Sequence, residues 1–140
     1  MIVLDTNVLS ELAKPAAEPV VIAWANAQPI EDLYTTAITE AEMLFGLACM
    51  PSGSRQDRLR RAVETAFSVL LAGHVLSFDR VSARAYADLA AERRRRGRAV
   101  AGADLQIAAI ARAKGAQAIA TRNTRNFAEY GVPLINPWQA

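Results

Sequence analysis

Short apolar runs alternate with longer stretches of helical periodicity along this chain, and this alternation constrains the fold more than any other feature. The runs lie at residues 2–4, 33–38, 75–78, 118–121 and 133–135. Such runs are typical of strands that are covered on both faces. Strands that alternate with helices predict a parallel sheet with helices on both of its faces. We therefore predict an α/β fold with about five parallel strands, in one domain that spans residues 1–140.

The composition agrees with a globular chain and restricts where it works. Its 140 residues are 52% hydrophobic, and no apolar run approaches the roughly 18 residues of a membrane span, so we predict no membrane partner. The N-terminus lacks the basic region and cleavage site of a signal peptide. The single cysteine, Cys49, excludes an internal disulfide and is predicted to be a small buried hydrophobe. These features predict a cytoplasmic protein.

Three carboxylates are placed where a parallel sheet forms its functional crevice. Asp5 directly follows the first strand, Glu42 lies in the first turn of the helix after the second, and Asp104 begins a mostly apolar helix before the fourth. The crevice lies beyond the carboxyl ends of the strands, so we expect these side chains to converge there. Two charges 4 Å apart repel by about 4 kcal/mol at an effective dielectric near 20. A divalent cation that prefers oxygen ligands, such as Mg²⁺, would remove this cost.

A metal at this position predicts hydrolysis at a phosphate. The ion would activate a water and stabilise charge on a phosphoryl oxygen, while a remaining carboxylate orients or deprotonates the water. Helix starts at Glu42 and Asp104 would add positive dipole ends. His74 is the only histidine, and the chain has no Gly-rich phosphate loop, serine-nucleophile elbow or paired zinc-binding histidines. The acidic cluster is therefore the predicted site.

Several short motifs carry a family resemblance, in the family's order along the chain. They are VLDTN at 3–7, ITEAE at 38–42 followed by Gly46, AD at 103–104 leading into Ile107, ATRN at 120–123 with Phe127, and INPW at 135–138. Together they resemble the PIN-domain family and, within it, the VapC-like and FitB-like toxins of toxin–antitoxin pairs. The resemblance implies a ribonuclease that acts with Mg²⁺ or Mn²⁺. It also implies a homodimer and a cognate VapB-like antitoxin that occupies the active site.

The resemblance extends to individual residues. Asp5, Glu42 and Asp104 match the three acids that these nucleases share, and Glu40 does not. The predicted substrate-binding residues are Thr6, Asn7, Thr121, Arg122 and Asn123. Many relatives carry a fourth acid at one of two positions that are Asn123 and Asn126 here. Because an amide brings no charge, we predict one tightly bound metal ion.

Each acid also has a structural interpretation. Asp5 could cap the helix that follows it, and Glu42 could complete a capping box that starts at Thr39. Asp104 could simply be favoured by the helix dipole. For these three residues, strand-end position and motif together favour the catalytic interpretation. Asp79 we interpret as a helix cap alone.

Basic and aromatic residues are assigned more simply. The arginines at 93–98 are typical of a solvated helix end, although they could also contact RNA phosphates. Arg122 is closer to the predicted crevice and is the better phosphate-binding candidate. Trp24 and Trp138 are predicted to pack rather than to stack on bases. The helices between about residues 18 and 71 could form either a dimer surface or an antitoxin groove.

The leading hypothesis is an endoribonuclease that uses metal-activated water for in-line displacement at an RNA phosphate. A second hypothesis is a catalytically silent PIN scaffold that binds RNA or a protein partner, and the missing fourth acid motivates it. A third is a metal-dependent phosphatase. Thr6 and Asn7 follow Asp5 without a second aspartate, which argues against the aspartyl-phosphate type of that enzyme.

Overall fold

Five short strands form one parallel sheet in the computed structural model, which describes residues 1–100 and 102–140. The strands are β1 (Ile2–Leu4), β2 (Leu33–Thr36), β3 (Val75–Leu76), β4 (Ala118–Ala120) and β5 (Leu134–Ile135). Their order across the sheet is β3-β2-β1-β4-β5, and every neighbouring pair is parallel. The predicted parallel α/β fold is confirmed.

Helices connect the strands throughout the described part of the chain. The α-helices are α1 (Thr6–Leu12), α2 (Pro19–Asn26), α3 (Ala37–Ala48), α4 (Ser54–Thr65), α5 (Arg80–Arg95), α6 (Ala103–Ala113) and α7 (Thr124–Phe127). A π-helical segment, Ala66–Leu70, continues α4, and short 3₁₀ turns cover Ile30–Asp32 and Pro137–Gln139. No helix among the described residues is long and apolar enough to cross a membrane.

The core consists of two apolar clusters, one on each face of the sheet. Successive side chains of a strand point to opposite faces, so Ile2 and Leu4 join one cluster and Val3 joins the other. The first cluster contains apolar residues of α1, α3 and α4, and the second contains those of α5, α6 and α7. Helix α6 is buried on most sides, as its sequence predicts, and Leu105 and Ile107 are fully buried. The helices therefore cover both faces.

The strand order places one functional crevice. The chain runs outward from β1 to β3 and then returns to β4 on the other side of β1. Connections leave β1 and β4 toward opposite faces at this reversal, so a gap opens beyond their carboxyl ends. Asp5 directly follows β1 and Thr121 directly follows β4. Their backbones meet there, because Asp5 N donates to the Ala120 carbonyl at 3.0 Å.

Helix α3 begins earlier than predicted. Its N-cap is Thr36, whose Oγ1 accepts a hydrogen bond from Thr39 N at 3.1 Å. The predicted capping box with Thr39 as N-cap is therefore wrong, because the buried hydroxyl at the end of β2 already caps the helix three residues sooner. Glu42 consequently lies in the second turn, so the prediction that it stands at a positive helix end is also wrong.

Two simpler predictions have opposite outcomes. Asp79 caps α5, since its Oδ1 accepts from Ser82 N at 2.9 Å, as predicted. Cys49 was predicted to be buried, and this is wrong because the side chain is exposed. Cys49 is the C-cap that follows α3, and the side chains of α3 that pack in the core are those of Met43 and Leu47.

Candidate active site

Asp5 is the most buried carboxylate of the crevice and accepts three hydrogen bonds. Its side chain is only 2% exposed. Oδ1 accepts from Thr6 N at 2.7 Å, so Asp5 does cap α1. Oδ2 accepts from Asn7 Nδ2 at 2.6 Å and from Thr121 Oγ1 at 2.7 Å. The capping role and a functional role are compatible, because Oδ1 caps the helix while Oδ2 lies next to Thr121 in the crevice.

Burial raises the pKa of Asp5 from its ordinary value of 3.8 to about 6. Loss of water around the carboxylate is the largest cause, and the negative charges of Asp104 and Glu42 raise the pKa further. The hydrogen bonds from Thr121 and Thr6 act in the opposite direction. A perturbed carboxylate at a topological switch point is typical of a functional site. At neutral pH this buried charge would be stabilised by a cation.

Glu42 reaches the same crevice from α3. Thr6 Oγ1 donates to Glu42 Oε1 at 2.5 Å and lies 3.4 Å from Thr39 Oγ1. The Thr39 hydroxyl is in turn within 3.2 Å of Thr36 Oγ1. These hydroxyls link the first turn of α1 to α3. Glu42 remains the most exposed of the three acids, while Asp104 is half-buried and Asp5 is buried.

Asp104 lies in the first turn of α6, where the helix dipole favours a negative charge. Its Oδ2 accepts from Asn126 Nδ2 at 3.1 Å. Asn126 is one of the two positions at which the resemblance implies a further acid, and its amide donates to Asp104. Helix α7 supplies this contact, because it places Asn126 next to the fully buried Phe127.

The residues that follow β4 close the crevice around Asn7. Asn7 Oδ1 accepts from Arg122 N at 3.0 Å, and Asn7 Nδ2 lies 3.2 Å from Thr121 Oγ1. The Thr121 hydroxyl also accepts from Asn123 N at 3.0 Å. The Arg122 guanidinium stacks over the Trp138 ring, 5.1 Å from its centre. The structure therefore brings all eight predicted site residues to one edge of the sheet.

Sequence reasoning missed part of the surroundings. Glu42, Asp104 and Asn126 line a cavity of about 430 Å³ whose other lining includes charged side chains outside the motifs. These are Arg93, Arg98, Arg125 and Glu129, with Tyr130 beside them. The arginine run indicated a possible contact with RNA, but no signal in the sequence linked it to Glu129.

The donor chemistry of the crevice fits a hard divalent cation. Asp5, Glu42 and Asp104 offer carboxylate oxygens, which Mg²⁺ and Mn²⁺ prefer. Among residues 1–100 and 102–140, however, no three acidic, histidine or cysteine side chains are already gathered as one ligand set. The three carboxylates are instead held on separate hydrogen bonds by Thr6, Thr121 and Asn126. Mg²⁺ commonly takes only one or two carboxylates and keeps its waters, so binding does not require all three acids as direct ligands.

Comparison with known proteins identifies the class. Residues 2–133 match the family model described as the PIN domain, and the chain belongs to that family. It is 48% identical over 139 residues to the VapC ribonuclease Y4jK of Sinorhizobium fredii, covering 99% of each chain. It is also 38% identical over 138 residues to the toxin FitB of Neisseria gonorrhoeae, again covering 99% of each. The predicted resemblance is confirmed.

Solved structures agree with this assignment. The crystal structure of FitAcB from Neisseria gonorrhoeae matches the whole of this chain and of its own, with a TM-score of 0.90 and 37% identity. Structures from the VapBC family of toxin–antitoxin systems share the fold as well. The chain is therefore a PIN domain of the VapC and FitB kind.

Proposed function

We propose that this protein is a metal-dependent endoribonuclease that acts as the toxin of a VapBC-like module. The observation that carries the proposal is the buried carboxylate of Asp5, with its raised pKa, at the switch point beside Glu42 and Asp104. The names of the relatives, a VapC ribonuclease and a FitB toxin, support the same activity. The proposal includes RNA as the substrate and the cytoplasm as the place where the protein acts.

In the proposed mechanism, Asp5 and Asp104 would hold Mg²⁺ or Mn²⁺, and Glu42 would complete the ligand and water network. When bound, the ion would lower the pKa of a water and neutralise charge on a phosphoryl oxygen. Glu42, the most exposed of the three acids, would accept the proton of the attacking water, and the hydrogen bond from Thr6 would orient its carboxylate. The water would attack phosphorus in line as the opposite P–O bond breaks, and the leaving oxygen would take a proton from solvent.

The polar residues around the acids have positioning roles in this mechanism. Asn7 and Thr121 hold Asp5, which leaves its carboxylate a single orientation. Arg122 and Asn123 lie at the edge of the crevice, where they can contact the phosphate of the substrate. The positive end of α6 lies beside Asp104 and favours an anion at the same place.

The direct test is cleavage of RNA by the purified protein, free of antitoxin, with Mg²⁺ or Mn²⁺ and with EDTA. We expect discrete products with either metal and none after chelation. Products that persist in EDTA would contradict metal dependence. An absence of cleavage on a broad pool of RNAs, by folded protein that binds the metal, would favour the second candidate function.

That second candidate is a silent PIN scaffold that binds RNA or a protein. Two observations favour it: the fourth acid is missing at Asn123 and Asn126, and the described acids are not gathered as one ligand set. In this case the Asp5 site would bind metal without turnover.

We expect one metal ion per chain. Asp5 and Asp104 supply the charge for one divalent ion, while Asn123 and Asn126 add none for a second. A calorimetric titration with Mn²⁺ should give a stoichiometry near one metal ion per chain. Two equivalent sites would contradict this prediction.

Thr121→Val should weaken metal binding about tenfold or more, because partners of a metal ligand typically contribute this much to affinity. The variant keeps the shape of a fully buried side chain but removes the hydroxyl that donates to Asp5 Oδ2. The pKa of Asp5 would then rise further. Thr121→Ser, which keeps the donor, is the matched control. Equal Mn²⁺ affinities for Thr121→Val and the parent, measured at pH 7.5, would refute this role.

A VapB-like antitoxin is the proposed protein partner, because structures of the VapBC family share this fold. An apolar cavity of about 580 Å³ lies between α1, α2 and the end of α4, where Leu9, Leu12 and Leu71 line it. We assign this surface to an apolar segment of the antitoxin. We expect expression of this protein alone to arrest growth and co-expression of a neighbouring antitoxin gene to relieve the arrest. Leu12→Asp should abolish the relief while cleavage continues.

The homodimer implied by the resemblance is also part of the proposal. Light scattering on the purified protein should give twice the chain mass of 15.1 kDa. A monomer at micromolar concentration would argue against it.

A further inference from the structure

The arginines at residues 93–98 lie at the end of α5. The turn that ends this helix separates them into two groups with different ion-pair partners. Gly97 adopts a left-handed conformation with φ of 69°, which other residues rarely take. Gly97 N donates to the Arg94 carbonyl at 3.0 Å, and Arg98 N donates to the Arg93 carbonyl at 2.9 Å. This pair of bonds reverses the chain after the helix. Arg98 therefore returns alongside Arg93.

The consequence is that four arginines pair with two different glutamates. Arg95 and Arg96 lie 3.2 and 2.9 Å from the carboxylate of Glu92, within the exposed surface of α5. Arg93 and Arg98 instead pair with Glu129, at 3.6 and 2.8 Å. Only the second group borders the cavity that contains Glu42 and Asp104.

Arg93 is the fixed member of the second group. Its side chain is 20% exposed, its Nε donates to the Ala99 carbonyl at 2.9 Å, and its guanidinium lies 5.4 Å from the centre of the Tyr130 ring. Arg98 is 57% exposed and makes its ion pair through one nitrogen. A guanidinium has five N–H donors, so both arginines keep donors for a further anion.

The cavity has an acidic side and a basic side. Glu42 and Asp104 form the first, while Arg93, Arg98 and Arg125 form the second around Glu129. Three arginines and one glutamate leave the basic side with two net positive charges. Glu129 Oε2 is buried and accepts no hydrogen bond from the described residues. The carboxylate of Glu129 therefore interacts mainly through its ion pairs with Arg93 and Arg98. An anion with several oxygens matches this surface, because guanidinium groups bind phosphate through paired hydrogen bonds.

We propose that Arg93, Arg98 and Arg125 form a subsite for an RNA backbone phosphate next to the one that is cleaved, and that Glu129 is a positioning residue for Arg93 and Arg98. The proposal rests on the proposed ribonuclease function and deepens it. The acidic side takes the reacting phosphate, and the basic side holds the strand. Such contacts fix the register of RNA without selecting its sequence.

The test compares arginines that border the cavity with one that does not, so that each variant loses the same charge. Arg98→Ala and Arg125→Ala are the subsite variants, and Arg95→Ala is the matched control. Binding of a short single-stranded RNA is measured by fluorescence anisotropy in EDTA at several salt concentrations. Each phosphate contact that is lost should reduce the slope of log affinity against log salt by about 0.7. We expect this reduction, and about tenfold weaker binding, for the two subsite variants and little change for Arg95→Ala.

Glu129→Gln separates positioning from charge. The change makes the basic side more positive, so charge alone predicts tighter binding of RNA. If Glu129 positions Arg93 and Arg98, its loss should instead weaken RNA binding and reduce the slope of log affinity against log salt. A purely structural role would lower the melting temperature without changing the slope. We expect weaker binding, and tighter binding would overturn the positioning role.

The outcomes for the subsite and for the nuclease are distinguishable. Equal slopes for Arg98→Ala and Arg95→Ala, in a protein whose parent cleaves RNA, would overturn the subsite and leave the ribonuclease intact. A parent that binds RNA with the expected slopes but never cleaves it would retain the subsite and contradict the enzyme. A parent with no measurable RNA binding would overturn the subsite.

Discussion

Asp5→Asn is expected to reduce RNA cleavage by about a thousandfold or more, the scale of loss when a central catalytic group is removed. The asparagine keeps the size of the side chain and can still accept from Thr6 N. It removes the negative charge that we propose binds the metal. Cleavage at the parental rate, by a variant purified free of host nucleases, would refute the assignment of Asp5.

The same variant is expected to make the metal-free protein at least as stable as the parent. A pKa raised from 3.8 to about 6 means that folding disfavours the charged form of Asp5. The shift corresponds to about 3 kcal/mol at neutral pH. The gain in the variant should be smaller than this, because the amide nitrogen that replaces Oδ2 cannot accept hydrogen bonds from Asn7 Nδ2 and Thr121 Oγ1.

The sign of the pH dependence follows from this shift. The folded pKa lies above the unfolded value, so the folded state binds the proton more tightly. The Asp5 contribution therefore opposes folding above about pH 6 and disappears as the pH falls toward 4. In EDTA, the advantage of Asp5→Asn in urea unfolding should be larger at pH 7.5 than at pH 5. An advantage that is equal at both pH values would contradict the raised pKa.

Added metal should reverse the order of stabilities. A ligand that binds only the folded state stabilises it by mass action, so Mn²⁺ should raise the unfolding free energy of the parent. Asp5→Asn should respond much less. An equal response would place the metal elsewhere.

Phe127→Ala is expected to cost about 3–5 kcal/mol of unfolding free energy, as for other large aromatic residues in cores. Phe127 is fully buried and makes an edge-to-face contact with Tyr130, with 5.9 Å between the ring centres. It is also the last residue of α7, which is only four residues long. Loss of this anchor should release Asn126 from Asp104 and reduce cleavage as well.

Phe78→Ala is the matched control for this prediction. Phe78 makes the same kind of contact with Tyr86, at 6.0 Å, but it is 38% exposed. Apart from the energy of the aromatic pair itself, we expect Phe78→Ala to lower the unfolding free energy by about 1 kcal/mol or less. Truncation of a partly exposed side chain leaves little cavity. Urea unfolding of both variants gives the comparison. Similar losses would show that burial of Phe127 does not hold α7.

The sequence by itself determined the fold class and the position of the acids. Alternation of apolar runs with helical periodicity predicts a parallel sheet, and residues at the carboxyl ends of its strands then lie near one edge. Asp5 follows from that rule directly, since it stands one residue beyond the first strand, while Thr121, the last residue of the predicted fourth strand, lies one residue beyond β4 in the structure. The same rule placed Glu42 and Asp104 near that edge, and the family motifs then favoured a catalytic role for them over helix capping at Glu42 and a helix-dipole role at Asp104.

Only the tertiary structure decided which side chains hold those acids and how the arginines divide. Thr36 rather than Thr39 caps α3, because β2 ends earlier than its apolar pattern suggests. Asn126 reaches Asp104, and Glu129 reaches Arg93 and Arg98, across contacts between residues far apart in the chain. Periodicity and capping rules describe neighbours within about one helical turn. Pairings across such distances depend on how the packed helices meet, and no local pattern records that.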